Sequence, residues 1–443
     1  MKQKTRKILS ALLSLVLALS FMCSAMVVPA EAIGESKATY DGYYKDENVR
    51  RWWYARLNKK EKACYRAIVA QLDDMPMRIE IPYKLDDDMS NNLWYAISYD
   101  NPEFFQLAHM NNYGESGGKY YYIPVYIMTK SMYKQGKEAM NKKMKQVLKK
   151  AKTKKTDYAK IRYLHDWLCN YVNYSYDGQQ KYCVYGTFMN QKVNCEGYSR
   201  TMQLFMNKLG IVNHVMVGMG FSVDEETGEE NAGGHMWNIV TVNGKEYNLD
   251  ATWDDALGGY TQYGVYFPTG VEGEPSHAYF MRSSKAMSGD HRAIIKSDDY
   301  GFTTGYVWKG ATDDSQNFFS HNGLNYKSYN KTTRSAICKG IAKAINSGKK
   351  SYEISFTNKK AYDKAVDKIF GEGKEDKNRD LNDMIKEINK QVTKKENKIT
   401  IGHIVSSCND NMYTIEFFPN QEVEDNELLD VLAIIFQLIP SVI

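Results

Sequence analysis

The chain has 443 residues, a formal net charge of +5, and 25% charged and 43% hydrophobic residues. That length supports two or three domains, and the near-balanced charge gives no reason to expect a nucleic-acid partner. Seven cysteines in a chain of this size are too few for a disulfide scaffold.

The N-terminus reads as a signal peptide. Lys2, Lys4, Arg6 and Lys7 precede an almost wholly apolar run from Ile8 to Val28, and Ala30-Glu31-Ala32 offers a small-x-small cleavage site. Residues 1–32 are therefore expected to direct export across a bacterial membrane and to be removed, leaving a secreted or cell-surface protein with no stable membrane span. An uncleaved anchor is the alternative, and Cys23 lies in a poor lipoprotein context.

Residues 33–128 read as a mainly helical module. Arg50 to Leu72 carries helical periodicity and Asp87 to Ile97 suggests a second helix. Asp100-Asn101-Pro102-Glu103-Phe104-Phe105 reads as a turn feeding a buried aromatic pair. Lys119 to Ile127 is a Tyr-rich strand, which Pro124 places at a sheet edge. The chain holds 34 Tyr; a Tyr-rich surface can bind peptide or glycan, but mixed cores use Tyr too. Residues 129–156 form a basic helical connector: eleven Lys between Lys130 and Lys155, with Tyr133, Met140, Met144, Leu148 and Ala151 on one face. A solvated amphipathic helix is the plain reading. A basic surface for anionic cell-wall polymers is the sharper one.

A domain begins near Asp157. Ile161, Leu164, Leu168 and Tyr171 give its first helix an apolar stripe, with His165 beside it in a structural role. The segment Asn194-Cys195-Glu196-Gly197-Tyr198-Ser199 then opens a helix: Tyr198, Met202, Phe205 and Leu209 recur at helical spacing, and Gly210 is placed to end it. A thiol at a helix N-terminus faces unpaired N–H groups and the positive end of the dipole. Both favour the thiolate, which is the nucleophile.

His235 and Asp250 fall on one predicted β-hairpin. Met236 to Val242 and Tyr247 to Leu249 are rich in apolar and β-branched residues, with Asn243-Gly244 between them as a two-residue turn. If that pair is the turn, Val242 faces Lys245 and the ladder runs back until Trp237 faces Asp250. His235 then becomes a diagonal neighbour of Asp250, roughly 5–8 Å away at Cβ. A one-residue slip would put them on opposite faces.

Three roles need filling for thiol chemistry: a nucleophile, a base and a group that orients the base. The Cys-Glu-Gly-Tyr-Ser helix start, the Gly-His-Met-Trp-Asn strand and the Leu-Asp-Ala-Thr-Trp-Asp strand end resemble the transglutaminase-like superfamily of thiol enzymes. The resemblance extends from about Asp157 to Trp308 and includes Tyr163-Leu164-His165-Asp166-Trp167-Leu168, Tyr279-Phe280-Met281 and Met287-Ser288-Gly289-Asp290-His291-Arg292. It implies an α+β fold with a papain-like transglutaminase core, in which the helix bearing the Cys packs on an antiparallel sheet bearing His and Asp. It also implies Cys195 as nucleophile, His235 as base and Asp250 as orienting carboxylate. The second oxyanion donor of the family lies upstream of the Cys, where Tyr185 and Gln191 are the candidates. Trp237 and Trp253 are expected to wall the site. Similar helical modules precede such thiol domains in secreted bacterial proteins.

Ser222 to Gly234 reads as an acidic loop just before His235, and a solvated loop is the plain reading. No metal-ligand spacing is visible, and no cofactor is expected. Asp313 to Gly323 is polar and turn-rich, so residues 309–330 read as a linker. Residues 331–443 read as a small α+β module with helices over Thr333–Asn346, Ala361–Phe370 and Leu381–Val392. Its strands are expected near Tyr352–Phe356, Lys398–Ser406 and Asn411–Phe418. The apolar tail from Leu428 to Ile443 is short for a membrane span and is expected to dock on its own domain. Cys169 with Cys183 and Cys338 with Cys408 are conceivable bridges, but unpaired buried thiols are expected.

These observations lead to an exported cysteine enzyme acting on amide bonds of a protein or peptide substrate at or near the cell wall, through an acyl-enzyme thioester. Water as acceptor makes it a protease or amidase; a lysine amine makes it an acyltransferase that cross-links. Hydrolysis is favoured by the resemblance to secreted bacterial members. The alternative is a catalytically inactive binding or scaffold protein on the same fold.

Overall fold

A computed structural model describes residues 51–223, 230–255, 258–262, 265–269, 274–293, 308–371, 380–399 and 404–419. The expected signal segment, the centre of the acidic stretch and the apolar tail lie outside the described residues. Among those described, no helix is long and apolar enough to cross a membrane.

The N-terminal module holds α1 (Trp52–Arg56), α2 (Lys59–Val69), β1 (Ile79–Ile81), α3 (Asp87–Asp100), β2 (Leu107–Ser116) and β3 (Lys119–Tyr126). It carries more sheet than its sequence suggests. The strands form an antiparallel sheet in the order β1-β3-β2. β2 escapes sequence reading because His109, Asn111, Asn112 and Gly114 give it no apolar alternation; it exists by pairing with the tyrosines of β3. β3 is the central strand rather than an edge. Pro124 is accommodated because β1 pairs only with Tyr120 to Tyr122, so Pro124 has a hydrogen-bonded neighbour on the β2 side alone.

The connector is α4 (Lys130–Ala151), and its Tyr133, Met140, Met144, Val147 and Leu148 pack into the main core while its lysines face solvent. The central domain follows: α5 (Asp157–Cys169), β4 (Asn173–Tyr174), β5 (Lys192–Val193), α6 (Cys195–Leu209), β6 (Asn213–Val223), β7 (Glu230–Val242), β8 (Lys245–Leu249), β9 (Gly258–Gln262), β10 (Val265–Thr269) and β11 (His291–Ala293). Its sheet has the order β11-β6-β7-β8, antiparallel throughout. The acidic stretch is largely strand at both ends, since β6 runs to Val223 and β7 begins at Glu230.

The C-terminal module holds α7 (Phe318–Asn322), β12 (Asn325–Tyr326), α8 (Lys331–Asn346), β13 (Tyr352–Phe356), α9 (Lys359–Ile369), α10 (Leu381–Asn389), β14 (Ile404–Asn409) and β15 (Thr414–Pro419), with the sheet order β12-β13-β15-β14. Residues 309–330, expected to be a linker, contain α7, whose Phe318 and Phe319 are buried in the central core, and β12, which pairs with β13. The polar composition of that stretch hides two aromatic anchors.

The fold is thus α+β, with a Cys-bearing helix lying on an antiparallel sheet. Helix α6 is nearly all buried, and Tyr198, Met202 and Phe205 lie at its core side. Burying side chains of this size contributes roughly 1.5–3 kcal/mol each. Polar ties set its position along the sheet. Ser199 Oγ donates to the carbonyls of Cys195 (2.8 Å) and Met236 (2.9 Å), and Asn238 Nδ2 donates to Ser199 O (2.9 Å). The N-terminal module grips the same assembly. Trp53 Nε1 donates to Val215 O on β6 (3.3 Å), and Gln203 Nε2 of α6 donates to Tyr99 O of α3 (2.7 Å).

Candidate active site

Helix α6 begins at Cys195 as its periodicity predicts. Asn194 caps it, its side chain accepting from Gly197 N–H at 3.3 Å, and Gly210 ends it in the left-handed conformation at φ 72°. Cys195 is partly exposed at this N-terminus, at the margin of the apolar cluster formed by the N-terminal module with Val215 and Met236.

The hairpin of β7 and β8 turns at Asn243-Gly244, both at positive φ, as a two-residue turn of this type demands. Val242 faces Lys245, and the register runs back to Asn238 opposite Leu249. One step on, Asp250 leaves the strand and curls. Its Oδ1 accepts from Thr252 N–H (2.8 Å) and Trp253 N–H (3.4 Å), which fixes the carboxylate locally. Its Oδ2 meets His235 Nε2 at 2.5 Å. Cys195 lies near enough to His235 to favour its protonated form. Since Nε2 is taken by Asp250, Nδ1 is the nitrogen left for the thiol.

Electrostatics follow from burial. Desolvation works against a charged His235, but the charge and hydrogen bond of Asp250, helped by Cys195, outweigh it and push the imidazole up to about 9. Burial likewise disfavours ionised Asp250, yet His235 and His291 hold it well below the usual carboxylate range. The carboxylate therefore stays ionised and the imidazole is ready to be an imidazolium.

Trp237 and Trp253 flank His235, with ring centroids 5.8 and 5.5 Å from the imidazole. Trp237 is anchored by its Nε1–H on Asn248 Oδ1 at 2.9 Å. Gly218, opposite His235 on β6, is required by this packing: a Cβ there would lie 2.4 Å from Trp237 Cη2. Tyr185 and Gln191 are not brought to the thiol. Tyr185 packs against Gly136 and Phe105 beside α4, and Gln191 Nε2 donates to Tyr171 O near the surface. Both were selected only as polar groups upstream of the Cys, and the intervening turns carry them elsewhere.

His291 is the neighbour that sequence reasoning passed over. Its Nε2 lies 3.0 Å from Asp250 Oδ2 and its Nδ1 lies 2.7 Å from Asp290 Oδ1. Asp290 and His291 are adjacent in the sequence, but nothing in their spacing ties them to Asp250.

Among the described residues, two groups of side chains present three metal-ligand atoms within 4.8 Å of one another: His235, Asp250 and His291, and, elsewhere, His165, Asp166 and His277. In both, the imidazole nitrogens of His165, His277 and His291, and Nε2 of His235, are already engaged by carboxylates. They read as hydrogen-bonded networks. Cys64, Cys169, Cys183 and Cys338 are buried free thiols, so Cys169 and Cys183 form no bridge; the side chain of Cys408 lies outside the described residues. A cavity of about 650 Å³ opens between α5 and the C-terminal module, but its lining includes none of Cys195, His235 and Asp250.

Residues 145–251 match the model of the transglutaminase-like superfamily. Mouse kyphoscoliosis peptidase is 23% identical over 128 residues, covering 27% of this chain and 19% of that protein. The human protein is 25% identical over 109 residues, covering 23% and 16%. The chain spans less than a fifth of the length of these curated relatives. Among solved structures, a TGase aligns over 43% of this chain and 54% of its own at 15% identity and a TM-score of 0.24. A proposed cysteine protease from Cytophaga hutchinsonii aligns over 32% and 61% at 11% identity and a TM-score of 0.21. The segment that matches the transglutaminase-like superfamily contains the start of α6 at Cys195 and the hairpin that carries His235 and Asp250.

Proposed function

We propose that the chain is an exported cysteine peptidase or amidase with a Cys195–His235–Asp250 triad. The observation that carries this reading is the 2.5 Å contact of His235 Nε2 with a doubly anchored Asp250, on an imidazole whose protonation is also favoured by the thiol at the N-terminus of α6. The thiolate of Cys195 attacks the amide carbonyl carbon, forming the C–S bond. The Cys195 N–H supports the oxyanion, and His235 gives its proton to the departing amine as the C–N bond breaks. Water then attacks the thioester and yields its proton to His235. The C–S bond breaks, and the thiolate is regenerated. Asp250 holds the imidazole orientation and stabilises the imidazolium throughout.

Hydrolysis is favoured over cross-linking because the curated relatives carry peptidase names. The basic, apolar N-terminal segment supports export and a substrate of protein or peptide character at the cell surface. The test is the rate of Cys195 alkylation by iodoacetamide against pH, with labelling located by peptide mass, for the wild type, His235→Ala and Asp250→Ala. Fast labelling well below the free-thiol pKa of about 8.5, lost in His235→Ala, is the expected result. Labelling that is slow and unchanged by either substitution would sink the triad and leave a binding protein on this fold. Peptide hydrolysis against amine incorporation then separates the two acyl acceptors.

A further inference from the structure

Asp250 is almost wholly buried, and its two oxygens are divided. Oδ1 is held by backbone N–H groups, while Oδ2 faces two imidazoles: His235 at 2.5 Å and His291 at 3.0 Å. His291 lies between two carboxylates, with Asp290 at 2.7 Å from its other nitrogen. An imidazole has one proton when neutral, so a neutral ring here would turn a lone pair toward one carboxylate. Only the doubly protonated ring satisfies both contacts. His291 is therefore a second buried cation on the carboxylate that orients the base.

The surroundings hold it there. The ring sits 4.4 Å from Trp253 and 5.2 Å from each of Trp237, Tyr279 and His235, measured between centroids. Tyr279 Oη donates to Asp290 Oδ2 at 2.7 Å, and Asn409 Nδ2 of β14 donates to Tyr279 Oη at 3.0 Å. Among the described residues, the charged and titratable groups facing His291 are Asp250, Asp290, His235 and the Tyr279 phenol. None of these surroundings replaces its positive charge if the ring is removed.

We propose that His291, clamped by Asp290, is a positioning residue of the reaction: it shares Asp250 with His235, fixes that carboxylate, and weakens its hold on the His235 proton. The consequence is chemical. An ionised, buried Asp250 acting on His235 alone would hold the imidazolium proton more firmly. A second cation on the same oxygen offsets part of that attraction. This inference rests on the triad reading above.

The test uses the full chain and needs no substrate. Iodoacetamide labelling of Cys195 is followed against pH for the wild type, His291→Gln and His235→Ala, with thermal melting to confirm folding. Thiolate reactivity steps up as the His235 imidazolium loses its proton. Removal of the neighbouring His291 charge leaves that proton more tightly held, so the upper inflection should move to higher pH by about half a unit to one unit in His291→Gln. A merely structural side chain would change the melting temperature and leave the inflection in place. A folded His291→Gln with a profile superimposed on the wild type overturns the inference, while His235→Ala still losing fast labelling keeps the triad. Should His291→Gln not fold, His291→Asn carries the same expectation and the same refutation. If His235→Ala labels like the wild type, it is the triad reading itself that fails.

Discussion

Among the described residues, two thiols lie beside histidine–carboxylate networks, and they differ in almost everything but composition. Cys195 lies at the first residue of α6, partly exposed, next to His235, Asp250 and His291. Cys169 lies at the last residue of α5, fully buried, 3.9 Å from His165 Nε2. His165 in turn meets Asp166 (3.1 Å) and Asp254 (3.2 Å), and His277 bridges Asp166 (3.0 Å) to Glu353 (2.7 Å). Cys, His and Asp are thus all present at the second place. Yet the Cys169 thiol donates to Ala251 O, and burial pushes it up to about 12. It sits at the negative end of its helix, where a thiolate is disfavoured. Ligand types alone do not make a nucleophile; helix polarity and access to solvent do.

The widest separation between the two thiols is expected in reactivity. Cys195→Ala should abolish iodoacetamide incorporation in the folded protein and reduce any amidase activity by more than about a thousandfold. Cys169→Ser should leave both intact while lowering the melting temperature, because it places a hydroxyl in a site built around a thiol. Labelling of Cys169 in the native protein would erase the distinction.

A second effect falls on the other network. Burial opposes a charged His277, but Glu353 and Asp166 raise it to about 9. A histidine raised in the folded state adds stability that is full below its unfolded value of about 6.5 and is lost as pH climbs through the folded value. The contribution is up to about 3 kcal/mol at acid pH. Denaturant unfolding of His277→Gln should therefore approach the wild type above pH 9 and fall short of it near pH 6. A constant gap across that range would mean that the ring acts only by packing.

A smaller effect sharpens the geometry of the reactive site. Gly218→Ala should cost about 1–3 kcal/mol and slow Cys195 labelling, since the new methyl forces Trp237 away from His235. Stability loss with unchanged labelling would show that the indole is a wall without influence on the base. The smallest change expected is from Asn194→Ala, about 1 kcal/mol, because Gly197 N–H then loses its capping partner.

Much of the reactive site is legible in local signals. Periodicity and Gly210 set the ends of α6, and Asn243-Gly244 sets the hairpin register that brings His235 to Asp250. What escapes is what depends on distant partners. β2 is polar and exists only beside β3; α7 hides Phe318 and Phe319 in a polar stretch; His291 reaches Asp250 from 41 residues away. Tyr185 and Gln191 fail for the same reason, since a place upstream of Cys195 says nothing of which way the intervening turns point.

The short turn between β14 and β15 has a reach beyond its own module. Asn409 holds Tyr279, Met412 packs with Tyr279, Met287 and Trp253, and Asn411 lies so close to Gly289 that a Cβ there would meet it at 2.6 Å. Cys195, His235 and Asp250 all lie before residue 256, yet the backing of Trp253 and Asp290 comes from residues beyond 400. The smallest piece that carries the chemistry and the smallest piece that can hold it in shape are therefore not the same piece. A chain cut after Trp308 would retain Cys195, His235 and Asp250 and still lose the peg that keeps their floor from sagging.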